Sequence, residues 1–175
     1  MVTATAEPPF FPLAIEPQLT KAVIASVHKG LVMCGATARC VGLSEVPPRE
    51  GGNVTGMIGV HGRVSGFVTV SMSEQFAIAT VEGLLQDKFD KLTSQVIDGV
   101  GEITNIIVGG IKGALANSNW AFPHITVPSV ILGDGYQIAY ARGLTFICAT
   151  FERQDSDSIL LRDRLLQVSV SLLRL

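Results

Sequence analysis

Charge is scarce in this chain: Asp, Glu, Lys and Arg together make up 16% of its 175 residues, and aromatic residues 6%. No run of basic residues occurs, so the sequence lacks the cationic stripe that nucleic-acid binding draws on. The polybasic cluster that would hold a protein to anionic lipid is missing too. Cysteine is limited to Cys34, Cys40 and Cys148, an odd set with no Cys-x-x-Cys spacing. That favours reduced thiols in a cytosolic protein over a disulfide framework. His28, His61 and His124 stand apart, with no carboxylate or cysteine at ligand spacing, so no metal site is expected. The chain also lacks the roughly 18 uninterrupted apolar residues of a membrane-spanning helix. Its richest stretch, Ile103 to Ala116, is broken by Asn105 and Lys112 and carries Gly109, Gly110 and Gly113. The opening segment is proline-rich and its first basic residue is Lys21, which does not fit a secretory leader.

Apolar residues fill the space that charge leaves, at 47% of the chain. A chain of this length supports one domain with a full core. We expect that domain over residues 15–175, behind an extended lead-in over 1–14 in which Pro8, Pro9 and Pro12 deny helix. The apolar surplus predicts self-association as a homodimer. Leu165 to Leu175, with leucines on both sides of its alternation, is expected to present an edge that a second chain covers.

Leu19, Val23, Val27, Leu31 and Cys34 recur at helical spacing and predict a first amphipathic helix from Gln18 to about Cys34. Val46 to Gly52 reads as a loop. Val54–Val60 and Val64–Met72 alternate as strands and meet at His61-Gly62-Arg63, a hairpin. Ser73 caps a second helix that runs to about Leu85. A third and longest helix is predicted from about Lys91 to Leu115. Strands follow at Ile125–Leu132, interrupted by Pro128, then at Gly143–Phe151 and Leu165–Leu173. The charged stretch from Arg153 to Leu165 is long for the turn it must make.

The long helix carries the chemistry. At about 100° per residue, Glu102, Asn105, Gly109 and Lys112 all fall within roughly 40° of Asp98. Val96, Val100, Ile103, Ile107, Ile111 and Ala114 cluster at the opposite pole. Glu102 and Asn105 are one turn apart and can reach the same few ångströms of a docked surface. Any core helix turns a polar side to solvent, so the strip alone does not identify a site. The glycines add to it: Gly99, Gly101, Gly109, Gly110 and Gly113 each cost about 0.5–1 kcal/mol in a helix interior relative to alanine. Gly101 and Gly109 are expected to flank the Glu102/Asn105 pair on the exposed side, giving a flat polar strip on which a protein can dock.

This helix resembles the signature of the CheC, CheX and FliY chemotaxis phosphatases. That signature is an acid or serine, three residues, glutamate, two residues, asparagine, then 22 residues and a proline. Asp98, Glu102, Asn105 and Pro128 fit all its positions and spacings, with residues 106–127 between the last two. Glu50 and Asn53 repeat the Glu-x-x-Asn core, but with Val46 and Phe76 at the outer positions. Gly56–Val60, Gly66–Ser71, Asn105–Gly110 and Val127–Gly133 are similar to CheX segments in family order. The likeness covers roughly residues 15–173. CheC proteins carry the signature twice; one motif per chain is similar to CheX, which acts as a dimer.

The resemblance implies an α+β, CheC-like fold, with two long helices over one face of a largely antiparallel sheet. Glu102 and Asn105 should then be accessible, with Val100, Ile103 and Ile107 buried. It implies a phosphatase acting on the aspartyl phosphate of a CheY-like response regulator. Asn105 would orient water, Glu102 would pair with the partner's lysine, and Asp98 and Pro128 would support them. Gly101, Gly109 and Lys112 would border the docked partner. The chain would need no cofactor of its own, because Mg²⁺ would come with the regulator. A non-catalytic module that binds a receiver domain, or a structural dimerisation unit, would belong to different classes. The sequence leaves open which regulator is the substrate and whether the pathway is chemotaxis or another two-component system.

Overall fold

A computed structural model describes residues 15–46, 52–133, 136, 138 and 143–174. The expected lead-in over 1–14 lies outside them. In chain order the elements are α1 (Pro17–Met33), β1 (Ala38–Ser44), β2 (Val54–His61), β3 (Val64–Met72), α2 (Glu74–Leu85), α3 (Ser94–Leu115), β4 (His124–Ile125), β5 (Ser129–Leu132), β6 (Thr145–Arg153) and β7 (Leu165–Arg174).

Local chemistry explains most of the boundaries. Pro17 opens α1, where its missing N–H costs nothing because first-turn donors have no helical partner. Ser73 accepts the Phe76 N–H at 3.1 Å and starts α2, which stops where Gln86 turns left-handed at φ 56°. Thr93 accepts the Val96 N–H at 3.3 Å, so α3 begins at Ser94 rather than near Lys91 as periodicity predicted. The capping hydroxyl fixes the first turn; apolar spacing does not. The Ile125–Leu132 strand divides into β4 and β5 around Pro128, which has no N–H to give to a ladder.

All pairings in the seven-stranded sheet are antiparallel, in the order β1-β6-β7-β3-β2-β4, with β5 also on β2. This corrects the expectation for Leu165–Leu175. β7 is not an edge but an interior strand, bonded to β6 on one side and β3 on the other. The charged stretch before it forms a loop and a short 3-10 turn, Leu161–Arg164, that returns the chain alongside β6. Arg164 bonds Glu152 at 3.1 Å and Arg153 bonds Asp155 at 2.9 Å across that return. Among the described residues the edges are β4 and β5 on one side and β1 on the other, a strand that periodicity missed. Its burial alternates only from Ala38 to Val41, and a bulge between Cys40 and Gly42 breaks its register.

α1 and α3 lie side by side over one face of the sheet, with α2 against α3. One hydrophobic cluster joins Leu19, Val23, Val27 and Leu31 of α1 to Val96, Val100, Ile103, Ile107 and Ile111 of α3 and to Ile58, Val68, Val168 and Val170 of the sheet. Fully burying each of these large side chains contributes about 1.5–3 kcal/mol. α3 sits close on β2: a Cβ on Gly56 would fall 1.9 Å from Thr104 Oγ1. No helix among the described residues is long and apolar enough to cross a membrane.

Candidate functional site

The outward strip of α3 carries the residues that the motif singled out. Asp98 and Glu102 are exposed and Asn105 is half-buried, while Val100, Ile103 and Ile107 beneath them are buried. None of the three polar side chains makes a hydrogen bond or ion pair among the described residues. Glu102 and Asn105, three positions apart on the helix, have Cβ atoms about 5–6 Å apart by helical geometry. A carboxylate and an amide with all their hydrogen-bonding capacity free face solvent together. The first accepts only; the second both donates and accepts.

The backbone that carries the pair is gripped from several sides. Thr104, between them, is buried and donates its hydroxyl to the Val100 carbonyl at 2.7 Å. A Cβ on Gly99 would lie 2.6 Å from Val81 of α2, and one on Gly110 would lie 2.9 Å from Ser26 of α1. These two glycines are the sites where neighbouring helices come close.

Gly101 departs from its expected place. It is buried rather than exposed: Pro128 lies over it, with its Cγ 3.5 Å from where a Cβ would stand, and Val130 is just beyond. The reason is the return of the chain from β4 to β5, which crosses α3 there. That crossing accounts for the long spacing in the motif, because the intervening residues finish α3, turn, and bring Pro128 back beside Glu102's neighbour. Thr126 anchors the crossing, with its hydroxyl accepting the Gly59 N–H at 2.9 Å and its N–H donating to the Gly59 carbonyl at 2.9 Å. Among the described residues nothing lies within 4 Å of the position a Cβ on Gly109 would take, and Lys112 is half-buried further along.

Sequence reasoning missed Val127. It is 82% exposed, immediately before Pro128, and so stands as an unusual apolar side chain at the border of the polar strip. Its neighbourhood with Pro128 was the available signal. The second Glu-x-x-Asn instance has a local task at Asn53, whose Oδ1 accepts the Glu74 N–H at 2.9 Å at the start of α2. Among the described residues, no three of His, Cys, Asp and Glu gather closely enough to hold a metal ion.

The comparisons with known proteins agree on the fold. Residues 54–152, which include the whole of α3 and Pro128, match the family described as chemotaxis phosphatase CheX. A CheC-like superfamily protein from Shewanella sp. PV-4 superimposes with a TM-score of 0.76 at 21% identity, over 90% of this chain and 99% of that one. The chemotaxis protein CheX from Vibrio vulnificus gives 0.75 at 24% identity, over 89% and 99%. The CheX–CheY complex with BeF₃ and Mg²⁺ from Borrelia burgdorferi gives 0.67 at 18% identity, over 89% and 96%. At such identities the likeness shows a shared fold. No curated protein matches the chain.

Proposed function

The chain belongs to the family of chemotaxis phosphatases described as CheX, and on that premise we propose that it hydrolyses the aspartyl phosphate of a CheY-like response regulator. One observation carries the reading: Glu102 and Asn105 stand one turn apart, unpaired among the described residues, on the outer strip of a helix whose backbone is closely packed below. The Borrelia burgdorferi relative, in complex with CheY, supports the choice of partner.

In this reading the receiver docks on α3 so that its phosphoryl group meets the pair. The Asn105 amide holds a water in line with phosphorus, accepting from it or donating to it. Glu102 accepts from the receiver's lysine, a charge-assisted contact that fixes the register of docking. Water attacks phosphorus, the bond from phosphorus to the aspartyl oxygen breaks, and a free carboxylate and inorganic phosphate leave. The Mg²⁺ that neutralises the phosphoryl oxygens comes with the receiver. Positioning and electrostatics supply nearly all of the acceleration in such a transfer, so two side chains on a rigid helix suffice. Asp98 supports Glu102 from the preceding turn, Pro128 holds the crossing against the helix, and Gly109 and Lys112 border the docked surface.

Two further features belong to the same reading. The protein acts in the cytoplasm, in keeping with its three free thiols, and as a homodimer, in keeping with the open edge of β1. Sedimentation at micromolar concentration should give twice the chain mass; a monomer would refute the dimer. The principal test follows phosphate loss from a panel of phosphorylated receivers of the source organism. Wild type should accelerate at least one, and Asn105→Ala should not. If wild type binds a receiver without accelerating its dephosphorylation, the chain is a receiver-binding module instead.

A further inference from the structure

Between the C-terminal end of α3, the β2–β3 turn and the segment after α3 lies a pocket of about 420 Å³. Ala116, Ala121, Phe122 and Pro123 give it apolar walls, and Lys112 and Arg63 supply its charge. No carboxylate lines it, and neither cationic side chain is ion-paired among the described residues.

The pocket is built into the fold. The Arg63 N–H donates to the Ala121 carbonyl at 2.9 Å, which ties the turn to the wall opposite. Gly62 lies so close beneath that wall that a Cβ would stand 2.4 Å from Pro123 Cδ. The Ser118 hydroxyl accepts the Trp120 N–H at 3.0 Å, and the Arg174 guanidinium covers the Trp120 ring at 4.2 Å. A site held in this way needs little ordering when it is filled.

Its place on the molecule indicates the occupant. Lys112 belongs both to the pocket and to the helix face of Glu102 and Asn105, two turns or about 10 Å beyond Asn105 at helical rise. A standard interface covers about 800 Å² on each partner, so a protein seated on the pair also reaches the pocket. Charge along the face is ordered: Asp98 and Glu102 at one end, Lys112 and Arg63 at the other. A face with acid at one end and base at the other accepts a partner of complementary charge in one direction only.

We propose that this pocket is a second docking point for the phosphorylated receiver, and that it takes an acidic segment of the receiver about 10 Å from the phosphoryl group. The proposal rests on the receiver reading above. Glu102 meets a cation and Lys112 with Arg63 meets carboxylates, so the two ends together set the orientation in which Asn105 faces phosphorus.

The test titrates receivers of the source organism, each loaded with beryllofluoride and Mg²⁺, onto the full chain at low and at high salt. Lys112→Glu with Arg63→Glu should weaken binding by about thirtyfold or more and flatten its salt dependence. Lys112→Gln with Arg63→Gln should weaken it about tenfold, and carries the test if the reversed pair fails to fold. An affinity and salt dependence unchanged in the charge variants would overturn the proposal while leaving hydrolysis standing. Wild type that binds but never dephosphorylates would sink hydrolysis and leave the pocket to be judged by the same titrations. Wild type that binds none of the receivers would overturn both.

Discussion

Gly109→Ala separates what α3 needs to fold from what it needs to dock. No described residue lies within 4 Å of the position the new Cβ would take, so the substitution meets no described neighbour in the free protein. Alanine is favoured over glycine in a helix interior by about 0.5–1 kcal/mol, which should appear as a gain in stability of that size. For a chain of this length, 1 kcal/mol shifts the melting temperature by about 2–4 °C. The urea midpoint should rise with an unchanged slope. Against a receiver seated on the strip, the same methyl group occupies space the partner needs. Overpacking of a close interface costs about 1–3 kcal/mol, and 1.4 kcal/mol is about a tenfold loss of affinity. The expected pair of results is therefore a more stable protein that binds a beryllofluoride-loaded receiver about tenfold less tightly. A gain in stability with undiminished affinity would refute the docking role of Gly109. A loss of stability would refute the packing argument itself.

Asn105→Ala should leave the urea midpoint unchanged or slightly raised, because the side chain has no partner among the described residues and alanine favours helix. Its kcat should nonetheless fall by about 100- to 1,000-fold, the range for losing one oriented polar group at a reacting centre, as read by phosphate release. Glu102→Ala should raise KM as well as lower turnover, and Asp98→Ala should do less to either; equal effects from the two would remove the distinction drawn between them. Gly56→Ala should act from a distance. Its Cβ would stand 1.9 Å from Thr104 Oγ1, so β2 and α3 must part, and both stability, by about 1–3 kcal/mol, and kcat should drop. Burial pushes the Cys34 thiol up to about 11. At pH 8 it should resist iodoacetamide in the folded protein and react once urea unfolds it, as mass spectrometry would show. Labelling in the native state would contradict that burial.

The helices and the β2–β3 hairpin were legible because their signals are local. Leu19, Val23, Val27 and Leu31 mark one face at helical spacing, and Ser73 carries its cap in its hydroxyl. The strip of Asp98, Glu102 and Asn105 was legible for the same reason, since helical geometry alone puts those positions on one side. What depends on distant segments was not. β1 is an edge strand whose alternation stops at a bulge after four residues and which does not run apolar, so its pairing with β6 defines it. β7 shows leucines on both faces because it is interior, and the sequence could not distinguish that from an unpaired edge. Gly101 lies on the outer half of α3 by angle, yet it is covered because Pro128 returns across it. Helical angle states which side a residue faces, but not what crosses that side.

That crossing also separates the two demands made on α3. Catalysis by positioning needs a rigid frame and free reacting groups, and a helix that is covered all round could offer only the first. Here the frame is fixed by contacts at Gly99, Thr104 and Gly110, on the sides turned to α2, the sheet and α1. Pro128 adds one contact on the outer side at Gly101, a residue before Glu102, and leaves Glu102 exposed. The glycine load of α3 thus has two physical causes. Gly99 and Gly110 sit where neighbouring helices press against α3, and their cost in helix propensity is offset by the packing they permit, whereas a Cβ on Gly101 would stand at ordinary contact distance, 3.5 Å, from Pro128. Among the described residues, nothing lies within 4 Å of where a Cβ on Gly109 or Gly113 would stand. In the proposed reading those two leave room for a docked partner on the face of the helix that presents Asn105.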